Sequence, residues 1–184
     1  VPVLMPDVVI PARNEADTIW SVVRAWKKAS NFGRIIVVDD NSTDGTDEIA
    51  ASAGAYVIYG DGIGKGEAVA KGLAEVVTDR VALCDADLHG FRHWHANLLI
   101  QPFDGQILGT ANGWGFTSLI TGERCLPTWI AQTTYLHGYA MEIQLNRAIR
   151  KAGLATAGVP LDGVTTTVKA GPFRLLSVIR DLAS

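Results

Sequence analysis

Two carboxylates, Asp85 and Asp87, stand one residue apart directly after the apolar residues 81–84. A continuous apolar run of this length predicts a short buried strand, and open α/β sheets bind ligands at the carboxyl ends of their strands. Two aspartates held together there repel each other unless a cation lies between them. Because hard divalent ions such as Mg²⁺ and Mn²⁺ prefer oxygen ligands, the pair predicts a metal site. The alternative is a solvated acidic turn.

Polar residues also follow two earlier apolar runs. Residues 11–15 follow the run 7–10, and residues 39–42 follow the run 34–38. A glycine-rich turn at 60–66 places Lys65 and backbone N–H groups at the start of a predicted helix, an arrangement that suits anions. The turn is neither a dinucleotide fingerprint nor a P-loop. The alternatives are that Asp40 caps a helix and that Lys65 is a solvated lysine.

The elements that position these residues alternate between strand and helix. Strands are predicted at 7–10, 34–38, 55–59 and 81–84, and helices at 15–29, from 43 or 44 to 53, and from the glycine-rich turn to 77. In the first helix Ile19, Val22, Val23 and Trp26 share one face. Continuous apolar strands that alternate with helices indicate an α/β fold, a mostly parallel sheet covered by helices on both faces.

The second half has a less regular pattern. We expect a loop with a short helix at 89–99, a strand at 106–110, a turn at 112–115, and helical pieces over 116–134 broken at Pro127. A helix at 138–152 has Met141, Leu145, Ile149 and Ala152 on one face and ends at Gly153. A strand at 154–159 stopped by Pro160, a loop, and a helix from Pro172 complete a single predicted domain, 1–184, with halves 1–88 and 89–184.

Composition excludes several classes of protein. The 184 residues are 48% hydrophobic and 19% charged, which is typical of a globular domain. A net charge of −3 without a polybasic block gives no electrostatic indication of nucleic-acid or membrane binding. Two cysteines make no disulfide framework, and we find neither a signal peptide nor an apolar run of the roughly 20 residues that span a membrane. We therefore expect a cytoplasmic protein.

Four segments, in this order, resemble the family 2 glycosyltransferases, which have the GT-A fold. They are VVIPARNE (8–15), IIVVDDNSTDGT (35–46), GKGEAVAKGL (64–73) and VALCDADL (81–88). Within that family the similarity is greatest to dolichol-phosphate mannosyltransferases and glucosyl-3-phosphoglycerate synthases. It extends to ITGERCLPT (120–128) and to residues 137–161.

The resemblance implies an enzyme that moves a sugar from a UDP- or GDP-sugar, with Mn²⁺ or Mg²⁺ as cofactor. Asp87 is then the principal metal ligand, with Asp85 and His89 completing the metal site. The residues implied to bind the nucleotide sugar are Pro11, Ala12, Arg13, Glu15, Asp40, Ser42, Lys65, Asp85 and Ala86. A divalent metal stabilises the charge on the leaving diphosphate, with help from Lys65, so Asp87 is also assigned a catalytic role.

The acceptor side is less clearly implied. Arg124 suits an acceptor phosphate through bidentate contacts, and Glu142 suits a general base or an acceptor-orienting group; the alternative for Glu142 is a helix-surface carboxylate. Lipid-phosphate mannosyltransferases have an arginine where Ala111 stands, and a second one within the segment that corresponds to residues 161–167. The synthases have a late histidine ligand, but this chain has no histidine after His137. The acceptor therefore stays open among a polyprenyl phosphate, a small phosphorylated acid and a hydroxymethylated DNA base.

Two other classes compete with a glycosyltransferase. Sugar nucleotidyltransferases have a similar sheet but open with a G-x-G-x-R loop, where this chain has residues 11–15. A non-catalytic sugar-nucleotide-binding module needs no catalytic groups, so the joint presence of Asp85, Asp87 and Lys65 disfavours it.

Overall fold

A seven-stranded sheet forms the centre of the computed structural model, which describes residues 5–110, 121–136 and 140–166. Its strands lie in the order β3-β2-β1-β4-β7-β6-β8, and two further strands, β5 and β9, form a small antiparallel sheet. The strands are β1 (Asp7–Ala12), β2 (Ile35–Asp39), β3 (Tyr56–Tyr59), β4 (Arg80–Leu83), β5 (Leu88–His89), β6 (Gly105–Thr110), β7 (Arg124–Pro127), β8 (Ala155–Pro160) and β9 (Thr165–Thr166).

The sheet is mostly parallel. Strand β1 pairs in parallel with β2 and β4, β2 with β3, and β6 with β8. Strand β7 runs antiparallel to both of its neighbours, β4 and β6. The carboxyl ends of β1, β2 and β4 therefore meet at one edge of the sheet, as the mostly parallel α/β fold predicts.

Six helices accompany the strands in the described residues. They are α1 (Ile19–Lys27), α2 (Thr46–Ala53), α3 (Lys65–Ala74), α4 (His93–Leu99), α5 (Thr128–Thr133) and α6 (Met141–Lys151). None of the helices in that part of the chain is both long enough and apolar enough to cross a bilayer.

Two apolar clusters form the core, one on each face of the sheet. The predicted face of α1 is confirmed, because Ile19, Val22, Val23 and Trp26 are all fully buried in the first cluster. The second cluster contains residues of α3, α5 and α6. Helix α6 buries Met141, Leu145 and Ile149 as predicted, and Gly153 follows it with φ +70°. Ala152 is exposed and lies beyond the helix end, contrary to the predicted face.

Proline does not stop the first strand, which corrects one predicted boundary. Strand β1 continues through Pro11, which pairs with Val38, to Ala12. Val8 N–H and Ala12 C=O both bond to the β2 side. Backbone groups alternate in direction along a strand, so Pro11 faces away from β2 and its missing N–H breaks no bond of that ladder.

The prediction of helical pieces over residues 116–134 also needs correction. Residues Arg124–Pro127 form strand β7, and among the described residues 121–134 only Thr128–Thr133 are helical. Helix α1 begins four residues later than predicted, after a turn. The predicted turn at 112–115 and the helix from Pro172 lie outside the described residues.

Buried Asp7 holds the start of β1, and its removal should cost stability. Its carboxylate accepts hydrogen bonds from Arg34 N (2.7 Å) and Arg34 Nη2 (3.2 Å). We expect Asp7→Ala to lower the free energy of unfolding by about 1.5–3 kcal/mol, the range for hydrogen bonds to a charged group. Urea denaturation measures the change.

The exposed pair Lys71–Asp61, with 43% and 66% of its side chains accessible, provides the control. Asp61→Ala should cost less than about 1 kcal/mol, because exposed ion pairs contribute little. Equal losses for Asp7→Ala and Asp61→Ala would contradict the assigned role of Asp7.

Candidate functional site

The loops that follow β1 and β2 are tied together by hydrogen bonds. Asn14 N donates to Ser42 Oγ (3.0 Å), Glu15 N donates to Thr46 Oγ1 (2.9 Å), and Thr43 N donates to Asn14 Oδ1 (2.9 Å). Asn14 adopts φ +55° to make this turn. The structure thus brings together the polar ends of the first two strands, as their parallel pairing predicts.

Asp40 connects this edge to the glycine-rich turn. Its Oδ1 accepts a hydrogen bond from Gly62 N (2.8 Å), and a Cβ on Gly60 would come within 2.6 Å of the same oxygen. Arg13 Nη1 donates to Gly62 O (3.3 Å) from the other side. Asp40 therefore orders the turn that precedes Lys65.

The helix-cap alternative for Asp40 is wrong, because its Oδ1 accepts from Gly62 N and the N-cap residue of α2 is Gly45. Helix α2 begins at Thr46, whose N–H donates to Asp44 Oδ1 (3.1 Å). Ser42 N instead donates to Asp39 Oδ2 (3.1 Å). Asp39 is 4% exposed, and its Oδ1 is buried without a hydrogen-bond partner among the described residues.

Lys65 lies between two carboxylates. Its Nζ is 2.7 Å from Asp85 Oδ1 and 2.8 Å from Glu142 Oε1, and 15% of its side chain is accessible. Burial by itself lowers the pKa of Lys65, but the charges and hydrogen bonds of Asp85 and Glu142 outweigh it and raise that pKa. The alternative of a solvated Lys65 is wrong, since both carboxylates contact its ammonium group. The alternative of a helix-surface Glu142 is also wrong, since Glu142 is 6% exposed.

The predicted metal ligands are not assembled into one cluster. In residues 5–110, 121–136 and 140–166, no three His, Cys, Asp or Glu side chains are placed to hold a metal ion. The cation beside Asp85 is the Lys65 ammonium. His89 is exposed on β5, where its backbone pairs with Thr165, and Asp87 is half-buried just before that strand.

An open cleft of about 470 Å³ lies beside His89. Residues 14–18 and Asp44 line its other walls. Pro11 and Ala12 are the last residues of β1, and Ala86 is buried at 3% exposure between the two aspartates. The residues predicted to bind a nucleotide thus occupy one edge of the sheet, around the ends of β1, β2 and β4.

Arg124, which the resemblance assigned to an acceptor phosphate, makes its contacts with protein groups. It is fully buried. Its Nη1 donates to Asn146 Oδ1 (3.0 Å) and to Glu142 O (3.4 Å), and its Nη2 donates to Thr121 O. Burial lowers the pKa of Arg124, and the carboxylates of Glu142, Glu123 and Asp85 oppose that shift. In this arrangement the guanidinium holds protein groups in place and presents no free fork to a ligand.

Glu123 is a buried acid that the sequence did not single out. Its Oε2 accepts a hydrogen bond from Thr121 Oγ1 (2.6 Å), while Oε1 is buried without a partner in the described residues. Burial raises its pKa, the charge of Asp85 raises it further, and the bond from Thr121 opposes them, for a value of about 7. No periodicity or spacing marks this position, because its environment comes from distant segments.

A family comparison agrees with this geometry. The model for "Glycosyl transferase family 2" matches residues 7–99, just over half of the chain. The chain belongs to glycosyltransferase family 2. The predicted resemblance is therefore confirmed, and the matched span contains β1 to α4 and the whole strand-end edge.

Curated family 2 relatives are longer than this chain. Glycosyltransferase AglJ of Haloferax volcanii is 25% identical in an alignment of length 185, which covers 83% of this chain and 61% of that protein. Glucosyl-3-phosphoglycerate synthase of Mycolicibacterium smegmatis is 37% identical in an alignment of length 91, which covers 44% of this chain and 30% of that protein. The chain spans less than two thirds of both relatives.

Solved structures of family 2 glycosyltransferases confirm the GT-A fold. Glucosyl-3-phosphoglycerate synthase from Mycobacterium tuberculosis, in complex with Mn²⁺, UDP-glucose and phosphoglyceric acid, matches with a TM-score of 0.82 and 24% identity. The match covers 97% of this chain and 77% of that one.

The shifted pKa of Glu123 gives a pH prediction. The unfolded carboxyl titrates near 4.5 and the folded one near 7, so the folded state keeps a proton that the unfolded state loses. The stabilisation that the raised pKa of Glu123 gives to the folded state is complete below pH 4.5 and is lost as the pH rises through 7. We expect Glu123→Gln to reduce the loss of stability between pH 5 and 8 by an amount on the order of 2–3 kcal/mol.

Urea denaturation at both pH values measures this difference. Glu48→Gln, at an exposed glutamate of α2, is the matched control and should leave the pH dependence unchanged. A Glu123→Gln protein with the wild-type pH dependence would show that Glu123 titrates normally.

Proposed function

We propose that this chain forms the donor-binding part of a metal-dependent glycosyltransferase that uses a nucleoside-diphosphate sugar, with UDP as the favoured nucleotide. The observation that carries the proposal is the partly buried cluster of Lys65, Asp85 and Glu142, placed where the ends of β1, β2 and β4 meet. Family membership supports the reaction class, and the UDP-glucose bound by the mycobacterial synthase favours UDP over GDP.

The chemistry of the donor set fits a hard divalent metal in part. Asp87 offers a carboxylate and His89 an imidazole, two residues apart. Such ions are commonly held by one or two carboxylates together with substrate phosphates, so a preformed three-ligand cluster is not required. Mn²⁺, which accompanies UDP-glucose in the mycobacterial structure, is the favoured metal. When bound, it would supply a Lewis acid for the leaving diphosphate.

The chain's own residues supply recognition and orientation. Under this proposal the base and ribose lie against residues 11–15 and Asp40. The hydrogen bond from Gly62 N to Asp40 Oδ1 already orders the adjacent glycine-rich turn. Lys65 presents a positive charge to the diphosphate from its position between two carboxylates. Such a preorganised charge costs no reorganisation during the reaction.

Glu142 faces the same cluster from the second half of the chain. Its Oε1 already accepts from Lys65 Nζ at 2.8 Å. In our proposal Glu142 fixes Lys65 before the donor arrives. A role as general base for the acceptor requires Lys65 to move toward the diphosphate and leave that oxygen free.

Nucleotide binding is the first test. We expect UDP to bind in calorimetry, and to bind more tightly with Mn²⁺ than without it, because the ion offsets repulsion between the diphosphate and the site carboxylates. GDP, titrated in parallel, should bind more weakly. Equal UDP affinity with and without Mn²⁺ would contradict the metal-bridged diphosphate, and absence of binding to either nucleotide would overturn the proposed function.

Removal of Asp87 tests the metal ligand. Asp87→Ala should reduce Mn²⁺-dependent hydrolysis of UDP-glucose by roughly 100-fold or more, since the metal stabilises the leaving group by several kcal/mol. His89→Ala should be milder if water replaces the imidazole. Asp104→Ala removes an exposed carboxylate outside the site and should have no effect. Near-normal turnover by Asp87→Ala would exclude Asp87 as the principal ligand.

A further inference from the structure

The carboxylate of Asp85 lies directly against the backbone of Gly122. A Cβ placed on Gly122 would come within 2.5 Å of both Asp85 Cγ and Asp85 Oδ2. Side-chain carbons do not approach carboxylates so closely, so any residue other than glycine here forces a movement. The same carboxylate reaches Lys65 Nζ at 2.7 Å on its other side. Asp85 is thus confined between one glycine and one ammonium group.

The backbone around Gly122 is held by its neighbours. Arg124 Nη2 donates to Thr121 O, Thr121 Oγ1 donates to Glu123 Oε2 (2.6 Å), and Gly109 N donates to Glu123 O (2.9 Å). Strand β7 then begins at Arg124, which pairs with Leu83 of β4. Because the backbone is held on both sides of Gly122, it does not easily shift away from an added side chain. The short side chain of Asp85 rotates at lower cost.

We propose that Gly122 is a positioning residue of the donor site: its missing side chain lets the Asp85 carboxylate lie against the Thr121–Arg124 backbone and reach Lys65. The resemblance placed this segment on the acceptor side of the enzyme, but its contact is with the donor side. The buried guanidinium of Arg124 then has a role as well, because it holds the backbone that confines Asp85. The effect on nucleotide binding rests on the proposed function, whereas the contact itself does not.

A double-mutant cycle tests the contact without any ligand. Gly122→Ala should lower the urea midpoint of the wild-type protein, because the new methyl group displaces Asp85 from Lys65. The same change should leave the midpoint unaltered in an Asp85→Ala background, where there is no carboxylate to displace. Such non-additivity is the signature of two groups in direct contact. Equal midpoint shifts in the two backgrounds would overturn the proposal.

Gly72→Ala is the matched control. A Cβ on Gly72 would come within 2.5 Å of Val9 Cγ1 and 2.9 Å of Val38 Cγ2, so the overlap is equally close but involves hydrocarbon instead of a carboxylate. Its midpoint shift should be the same with Asp85 present or absent. If Gly122→Ala alone fails to fold, the Gly122→Ala/Asp85→Ala protein should fold as well as Asp85→Ala. Failure of that double variant while Asp85→Ala folds would also overturn the proposal.

UDP affinity separates the inference from the proposed function. In calorimetry with UDP and Mn²⁺, at a temperature where all variants are folded, Gly122→Ala should weaken binding roughly tenfold, as expected for loss of one positioned charge pair. Gly72→Ala should remain near wild type. If the wild type binds no UDP, the proposed function fails while the denaturation cycle still decides the contact. If the wild type binds UDP and Gly122→Ala binds it equally well, the positioning role is excluded.

Discussion

One largely buried ammonium group joins the two halves of this chain. Lys65, at the start of α3, contacts Asp85 and Glu142. Asp85 follows β4, and Glu142 lies in the first turn of α6, 77 positions after Lys65. Exposed ion pairs contribute at most about 1 kcal/mol, but removal of one partner from a buried pair costs roughly 3–5 kcal/mol, because an uncompensated charge remains. The position of α6 and the positions of Lys65 and Asp85 therefore depend on each other.

The edge where the ends of β1, β2 and β4 meet was predictable because its signals are local. Apolar runs such as residues 81–84 and the glycine-rich turn at 60–66 lie within short windows, and parallel pairing brings their ends together without further information. The environment of Lys65 was not predictable in this way. A lysine after a glycine-rich turn is ordinarily solvated, and its burial depends on Glu142, which no local pattern connects to it.

The region around β7 shows why the sequence did not predict this strand or the burial of Glu123 and Arg124. Its four residues include Pro127, which does not favour a strand, and they pair with β4 on one side and β6 on the other. Charged residues are ordinarily exposed, yet Arg124 and Glu123 are buried by contacts with Thr121, Asn146 and Asp85. Tertiary pairing thus overrides local preference in this part of the chain.

Under the proposed function, the charges of the site explain how a metal can be needed although the described residues contain no three-ligand cluster. Lys65 and Arg124 lie among the carboxylates of Asp85, Glu142 and Glu123. Under the proposed function, an incoming diphosphate brings further negative charge next to these carboxylates and Asp87, and a divalent cation that accompanies it offsets the repulsion. The diphosphate itself would then supply part of the ligand set of that cation.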